Sequence, residues 1–425
     1  MSTANAKAPA PVIPPSIPAS LDPAHCRAAV GDEPMIFHCH HYNTFLQQSI
    51  QDAEYIDSRR FLVGAANEVA FGQLSKLFRE EDITDVSERA RMAETLFQWA
   101  GFGRVDLSGL TDKGGVVETP HSHYSHAWKV KMGEADAPVD FFTTGWLSGA
   151  LAAIHDKPQG WYSSEQTHCI AVGAEQNRYE LSATGEPDFD LYKTPGMGPL
   201  TDHKPRPIPE SPVDYEGIFT ALTGMEIVGD ETGSIPAFGV YLTRHYANYY
   251  NRISFEFSRE LERCFGEEGV SVAEPLLVEA GHVCAFNTFG GIMISPEWDA
   301  LIKPQLKTQE DWVHGMVAAV NALGWGRWQV TSLSPDEAVF AIHDDYEAVG
   351  YIANYGEAAY PVSFLAKGAA LGIMNLVYLG DVHEKPTFTP EFYQRLFKSN
   401  DSYEAEVLEN RAGGDEVTAF RVFRR

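Results

Sequence analysis

Polar and apolar positions change period several times along this chain, and each change marks an element. Over 59–80 (RRFLVGAANEVAFGQLSKLFRE) apolar residues recur every three or four positions, the spacing of a helix with a buried face. Asp85 or Ser87 caps a second predicted helix that runs to about Ala100. Leu96, Phe97 and Trp99 pack near its end, and Gly101-Phe102-Gly103 stops it. Residues 104–110 (RVDLSGL) and 114–119 (GGVVET) alternate as strands and predict a hairpin whose second strand delivers His121 and His123. The stretch 140–155 (DFFTTGWLSGALAAIH) is almost uncharged through its middle and reads as a buried helix. Strands over 160–172 and 178–182, with a turn at Gly173, close this unit.

The same signals return in the same order. HYNTF at 41–45 comes back as AFNTF at 285–289, and Gly101-Phe102-Gly103-Arg104 as Gly324-Trp325-Gly326-Arg327. VDFFTTG at 139–145 corresponds to VSFLAKG at 362–368, again ahead of an apolar helix. Tyr162 and Glu165 correspond to Tyr403 and Glu406. The offsets vary, as loop insertions make them. The class this predicts is α+β: two homologous units packed as an internal pseudo-dimer. The boundaries are an Ala/Pro-rich disordered arm over 1–29, a first unit over 30–190, a crossover and interface insertion over 191–275, and a second, degenerate unit over 276–425. The insertion begins Pro-rich and continues into VYLTRHYANYYNRISFEFSRELERCFG at 240–266, where apolar and aromatic residues fall at helical spacing. That helix reads as an interface element, or as one that lines a pocket with Arg244, His245, Tyr246 and Tyr250.

Composition narrows the function classes. The chain has 425 residues, with Lys+Arg 32 against Asp+Glu 59 and a net charge of −27. So acidic a surface opposes nucleic acid and anionic membranes as partners. The cysteines, Cys26, Cys39, Cys169, Cys264 and Cys284, are odd in number and widely spaced, with no C-x-x-C. This argues against a disulfide scaffold and for a reducing, cytoplasmic setting. No run of about 18 apolar residues predicts a membrane span, and the N-terminus lacks the pattern of a secretory signal.

Candidate chemistry concentrates in the first unit. His38-Cys39-His40-His41 places potential metal ligands in a row; an extended backbone would turn His38 and His40 one way, Cys39 and His41 the other. A second H-x-H follows at His121 and His123, with His126 behind it, and Glu165, His168 and Cys169 form a third cluster. The expectation is that these stretches meet at one metal, held by His38, His40, His121, His123, Glu165 and Cys169. Two histidines and a carboxylate suit Fe(II) with open positions. A three-histidine site suits Zn with an activated water. Tyr42, Tyr124 and His168 are candidates for acid, hydrogen-bond donor or ligand-orienting roles, and the tyrosines equally for pocket walls. Aligning the units puts His38 opposite His282 and His40 opposite Cys284, so ligand-type residues thin out in the second unit. A weaker alternative builds a second metal site there from His282, Cys284, His343 and Asp344.

After the buried helix, Gly160, Trp161, Glu165, Cys169, Ile170, Ala171 and Gly173 follow the pattern GW…E-x-x-x-C-I-A-x-G. This resembles the 4-vinyl reductase domain, a small α+β ligand-binding family that includes aromatic-sensing domains of bacterial activators. The resemblance covers both units but neither the arm nor the insertion. It implies a pocket for a small hydrophobic molecule beside a zinc held by a Glu and several Cys. Glu165 and Cys169 match; a further family Cys does not, since Ala174, Glu175, Gln176 and Asn177 stand there. No helix-turn-helix or P-loop accompanies the domain. Three readings follow: a metal-dependent, Fe(II)-type enzyme on a small organic substrate; a non-catalytic small-ligand binder or sensor with structural zinc; and, through the family's relation to haem sensors, a haem protein. A homodimer is compatible with each.

Overall fold

The structure is a computed structural model that describes residues 16–202 and 204–424. Its first elements are β1 (Ala19–Asp22), β2 (Arg27–Val30), β3 (Glu33–Cys39), α1 (His40–Gln51), α2 (Ser58–Glu80) and α3 (Val86–Trp99). The chain continues through β4 (Gly114–Thr119), α4 (His123–Met132), α5 (Phe141–Ile154), β5 (Tyr162–His168) and β6 (Asn177–Ala183). A long crossover carries α6 (Tyr215–Thr223) and leads to β7 (Ile235–Ala237), β8 (Val240–Tyr246), α7 (Ala247–Phe265), α8 (Glu267–Cys284), α9 (Gly290–Ile294), α10 (Pro296–Leu301) and α11 (Gln309–Asn321). The remaining elements are β9 (Arg327–Leu333), β10 (Glu337–His343), α12 (Tyr346–Tyr355), α13 (Phe364–Met374), α14 (Pro390–Phe397), β11 (Glu404–Glu409) and β12 (Thr418–Phe423).

Three antiparallel sheets organise these elements, with strand orders β1-β2-β3-β8-β7, β4-β6-β5 and β11-β12-β10-β9. The class is α+β, as the patterning predicts. The central pair β3 and β8 places Phe37 opposite Arg244, Ile36 opposite His245 and His38 opposite Thr243. Partners in register share a face, so Phe37 and Arg244 lie on one side and His38, Thr243 and His245 on the other. The two glycine-rich loops dock on this pair in matching ways. Phe37 donates its N–H to the Leu323 carbonyl at 2.9 Å, and Arg244 donates its own to Ala100 at 2.8 Å. Gly101 and Gly324, which follow those carbonyls, both have φ of 86°, a value that glycine takes without strain.

Helix packing carries the core. Against α2, α5 comes so close that a Cβ at Gly145 would stand 2.1 Å from the Val63 carbonyl oxygen. The Asn67 amide donates to Ser148 across the same contact at 2.8 Å. Helix α7 is locked to α2 and α12 by Arg252, which donates to both Glu68 carboxylate oxygens at 3.0 and 3.1 Å and to the Tyr355 hydroxyl at 2.7 Å. Two π-helical turns, 285–289 and 375–379, extend α8 and α13. The run 268–294 is long and apolar enough to cross a membrane, and 67% of its most apolar window is buried inside the protein.

Several local expectations change. Residues 104–110 form no hairpin strand: β4 pairs with β6 instead. The segment's backbone groups go elsewhere, the Leu107 N–H to the Glu94 carboxylate at 2.6 Å and the Arg104 carbonyl to the Thr119 hydroxyl. Within the region expected to be a disordered arm, Ala19–Asp22 and Arg27–Val30 are paired strands; residues 1–15 of that arm lie outside the described residues. The helix expected over 240–266 begins only at Ala247, because Val240–Tyr246 pairs with β3. Strand pairing overrides the helical spacing there.

Candidate functional site

Strand β3 is buried at every position, and it ends where α1 begins at His40. That boundary decides the geometry of the histidine run. The His38 ring is stacked between Tyr42, 4.3 Å away centroid to centroid, and Trp325, 4.7 Å away, with Tyr250 edge-on at 4.8 Å. Its Nδ1 lies 3.5 Å from the Cys284 thiol, and its buried Nε2 meets no partner among the described residues. Nearby, Asn43 joins three elements: it donates to His123 Nε2 at 2.9 Å and to the Thr243 hydroxyl at 3.2 Å, and it accepts from the Tyr250 hydroxyl. His245 accepts the Tyr246 N–H on Nδ1 at 2.9 Å, so its Nε2 carries the proton and donates to the Tyr124 hydroxyl at 2.8 Å.

This cluster is closed and neutral. Burial holds His38 and His245 well below the usual imidazole range and brings His123 down to about 3. Burial likewise drives the Tyr42, Tyr124 and Tyr250 hydroxyls well above theirs. Cys39 and Cys284 share a hydrogen bond in the same interior. Burial raises both, and at Cys39 the hydrogen bonds from the Cys284 thiol, Thr288 and the backbone outweigh it, so Cys39 is the more acidic of the pair. Such a network orients β3, β8, α4, α7 and α8 around one another.

The three ligand-bearing stretches do not converge. His38, Tyr42, His123 and Tyr124 belong to the central cluster. His40 sits at its edge, where Nδ1 accepts the Tyr241 N–H at 3.2 Å and the ring lies 3.9 Å from that of His41. Burial, with Lys131 nearby, lowers His40 to about 4. For His41 burial, then His40 and Lys131, bring the value to about 2. His121 lies in the half-buried loop between β4 and α4 rather than on a strand beside His123. Glu165 is exposed on β5 opposite Glu180, and His168 is exposed opposite Arg178. Cys169 is buried apart, 3.6 Å from the Ser125 hydroxyl, in a small cluster with Trp128, Val139 and Ala171. Among the described residues no group of three His, Cys, Asp or Glu side chains is arranged to hold a metal ion. His40 and His41, with ring centroids 3.9 Å apart, both feel the positive charge of Lys131, which opposes a dication. This donor set does not fit the expected Fe(II) or Zn centre.

The opposite face of the central strand pair carries a different feature. A cavity of about 230 Å³ lies between the sheet, α6 and the end of α11, walled by Met35, Phe37, Trp99, Leu222 and Leu242 among other apolar side chains. Arg244 reaches into its wall. Arg244 and His245, which the sequence offers for a pocket or an interface helix, lie on a strand that divides them: Arg244 faces the cavity and His245 the cluster. Leu222 and Phe219, on α6 within the Pro-rich crossover, had no sequence signal beyond a short apolar stretch.

No family model matches the chain, and no curated protein matches it. Among solved structures it is similar to the phenol-responsive sensory domain of the transcription activator PoxR, determined with phenol. That likeness has 13% identity, covers 45% of this chain and 81% of the other, and has a TM-score of 0.33. At that score it carries no argument, and the functional reading rests on the cavity.

Proposed function

We propose that this chain is a binding protein for a small molecule with an apolar body, which lodges in the cavity on the outer face of β3 and β8. The observation that carries the reading is the cavity itself, about 230 Å³ and lined mainly by apolar side chains. An apolar cavity of about 150 Å³ accommodates benzene, so this one has room for a substituted single ring or a short acyl chain. Its floor is the central strand pair, held by the buried hydrogen-bond network behind it, which gives a preformed rather than a collapsible wall. The sensor-type reading of the sequence needs such a pocket and needs no catalytic metal.

The test is direct binding of neutral probes, benzyl alcohol and hexanol, followed by calorimetry and by the fluorescence of Trp99, which lines the cavity. Saturable binding that is lost when the half-buried roof residue Leu222 is changed to Trp supports the reading. Probe binding that Leu222→Trp leaves unchanged places the ligand elsewhere and overturns it.

A further inference from the structure

The cavity wall contains a cation for which the described residues supply no paired carboxylate. Arg244 projects from β8 with its guanidinium carbon 4.4 Å from the centroid of Phe37 and 4.8 Å from that of Trp99. The two rings form a clamp that fixes the plane of the group. Nε donates to the Ile227 carbonyl at 3.0 Å. The two terminal nitrogens have four further N–H donors, and among the described residues no carboxylate pairs with them. Burial is the one influence that moves this group, lowering it to about 10, which leaves it charged at neutral pH.

Arg27, the other guanidinium in the same wall, shows the contrast. Its terminal nitrogens donate to the carbonyls of Gly324, at 2.7 Å, and Asp344; burial lowers it, and the charges of Asp345 and Asp344 act against that lowering. Arg27 therefore feels carboxylate charges within the protein, whereas for Arg244 burial alone acts and no carboxylate among the described residues pairs with it. The chain does not lack acids, with Asp+Glu 59 against Lys+Arg 32. A half-buried guanidinium, clamped between rings and facing an apolar space, costs stability unless something pairs with it.

We propose that Arg244 is the anion anchor of the cavity, and that the ligand is a small monocarboxylate whose apolar body, a single arene or short acyl chain, fills the remainder. The inference rests on the small-ligand reading above and names its chemical class. A carboxylate is planar and matches the guanidinium fork with two parallel hydrogen bonds. The aromatic clamp limits the guanidinium's freedom before the ligand arrives, so little side-chain entropy is lost on binding.

Matched acid and amide pairs separate the two propositions: benzoate with benzamide, and hexanoate with hexanamide, titrated against wild type, Arg244→Met and Leu222→Trp. The expected result is that the acids bind wild type roughly ten- to hundredfold tighter than the amides. Arg244→Met should erase that preference while amide binding persists, which also reports that the variant is folded. Leu222→Trp should weaken both members of each pair. Equal affinity for acid and amide in wild type would overturn the carboxylate assignment and leave the small-ligand reading intact. An acid preference that survives Arg244→Met would overturn Arg244 as the anchor. Failure of every acid and amide to bind would overturn both.

Discussion

The Tyr124 hydroxyl stands 2.8 Å from Nε2 of His245, deep in the protein, and it is what accepts that ring's proton. The backbone N–H of Tyr246 occupies Nδ1, so the tautomer is fixed and His245 must donate from Nε2. Tyr124→Phe removes the acceptor and leaves a buried N–H unpaired. The expected cost is about 1–3 kcal/mol, read as a lower urea midpoint with an unchanged slope. His245→Phe placed on top of Tyr124→Phe should cost less than it does alone, because the orphaned donor is gone. Strictly additive losses in that double-mutant cycle would show that the pair is not coupled.

Glu68 and Arg252 form a second buried pair, with side-chain exposures of 1% and 7%. The guanidinium also reaches Tyr355 and Asn354 on α12, so the pair binds α2, α7 and α12 in one contact. Glu68→Ala removes the two-oxygen partner and leaves the guanidinium only Glu256, at 3.5 Å, so it should destabilise the fold by up to about 3–5 kcal/mol. Glu68→Met combined with Arg252→Met should recover much of that loss, since neither charge then remains buried alone. Thermal melts of the single and double variants decide this, and a double variant no better than Glu68→Ala would contradict it.

Both pairs bear on what the amino-acid order reveals. The long helices α2, α3 and α5 and the glycine-rich loops were legible because their signals are local: period, caps and positive φ. Asp85 does cap α3, accepting the Glu88 N–H at 3.0 Å. That His38, His121 and Glu165 stand apart was not legible, because it turned on strand-to-helix boundaries. A helix that starts at His40 instead of a longer strand rotates His40 and His41 away from the alternation, and a strand that ends at Thr119 leaves His121 in a loop. The strand pairing was hidden for a related reason: Phe37 and Arg244 each donate a backbone N–H to the carbonyl ahead of a glycine-rich loop. Pairing between β3 and β8 joins residues more than two hundred positions apart, and no local pattern encodes it.

Thiol accessibility provides an independent check of the interior. Cys26, Cys39, Cys169 and Cys284 are buried, and Cys264, near the end of α7, is exposed. A native titration with an aromatic disulfide reagent should therefore release one rapid equivalent per chain, and Cys264→Ser should abolish it. Denaturation should raise the total to the five cysteines of the sequence. Rapid reaction of a second thiol in the native state would mean that the interior around Cys39 and Cys284 opens readily.

The buried imidazoles set the response to acid. Burial, followed by the charges of His40 and His126, holds His123 at about 3 in the folded chain, against about 6.5 when unfolded. As pH falls below about 6.5 the unfolded state gains a proton that the folded state refuses. The stability from neutral His123 is therefore present above about pH 6.5 and lost as pH falls toward 3. The slope is about 1.4 kcal/mol per pH unit for each such histidine. Glu347 acts in the opposite sense: burial raises it to about 8, so its contribution is present below about 4.5 and lost as pH rises through 8. The total curve sums these effects, and the informative quantity is a difference. His123→Gln keeps an acceptor for the Asn43 amide but cannot titrate. Unfolding free energies from urea titrations between pH 6 and 4 should fall less steeply for the variant than for wild type, by about 1.4 kcal/mol per pH unit. Parallel curves would mean that His123 is protonated in the folded chain, and that the cluster around Asn43 is wet rather than closed.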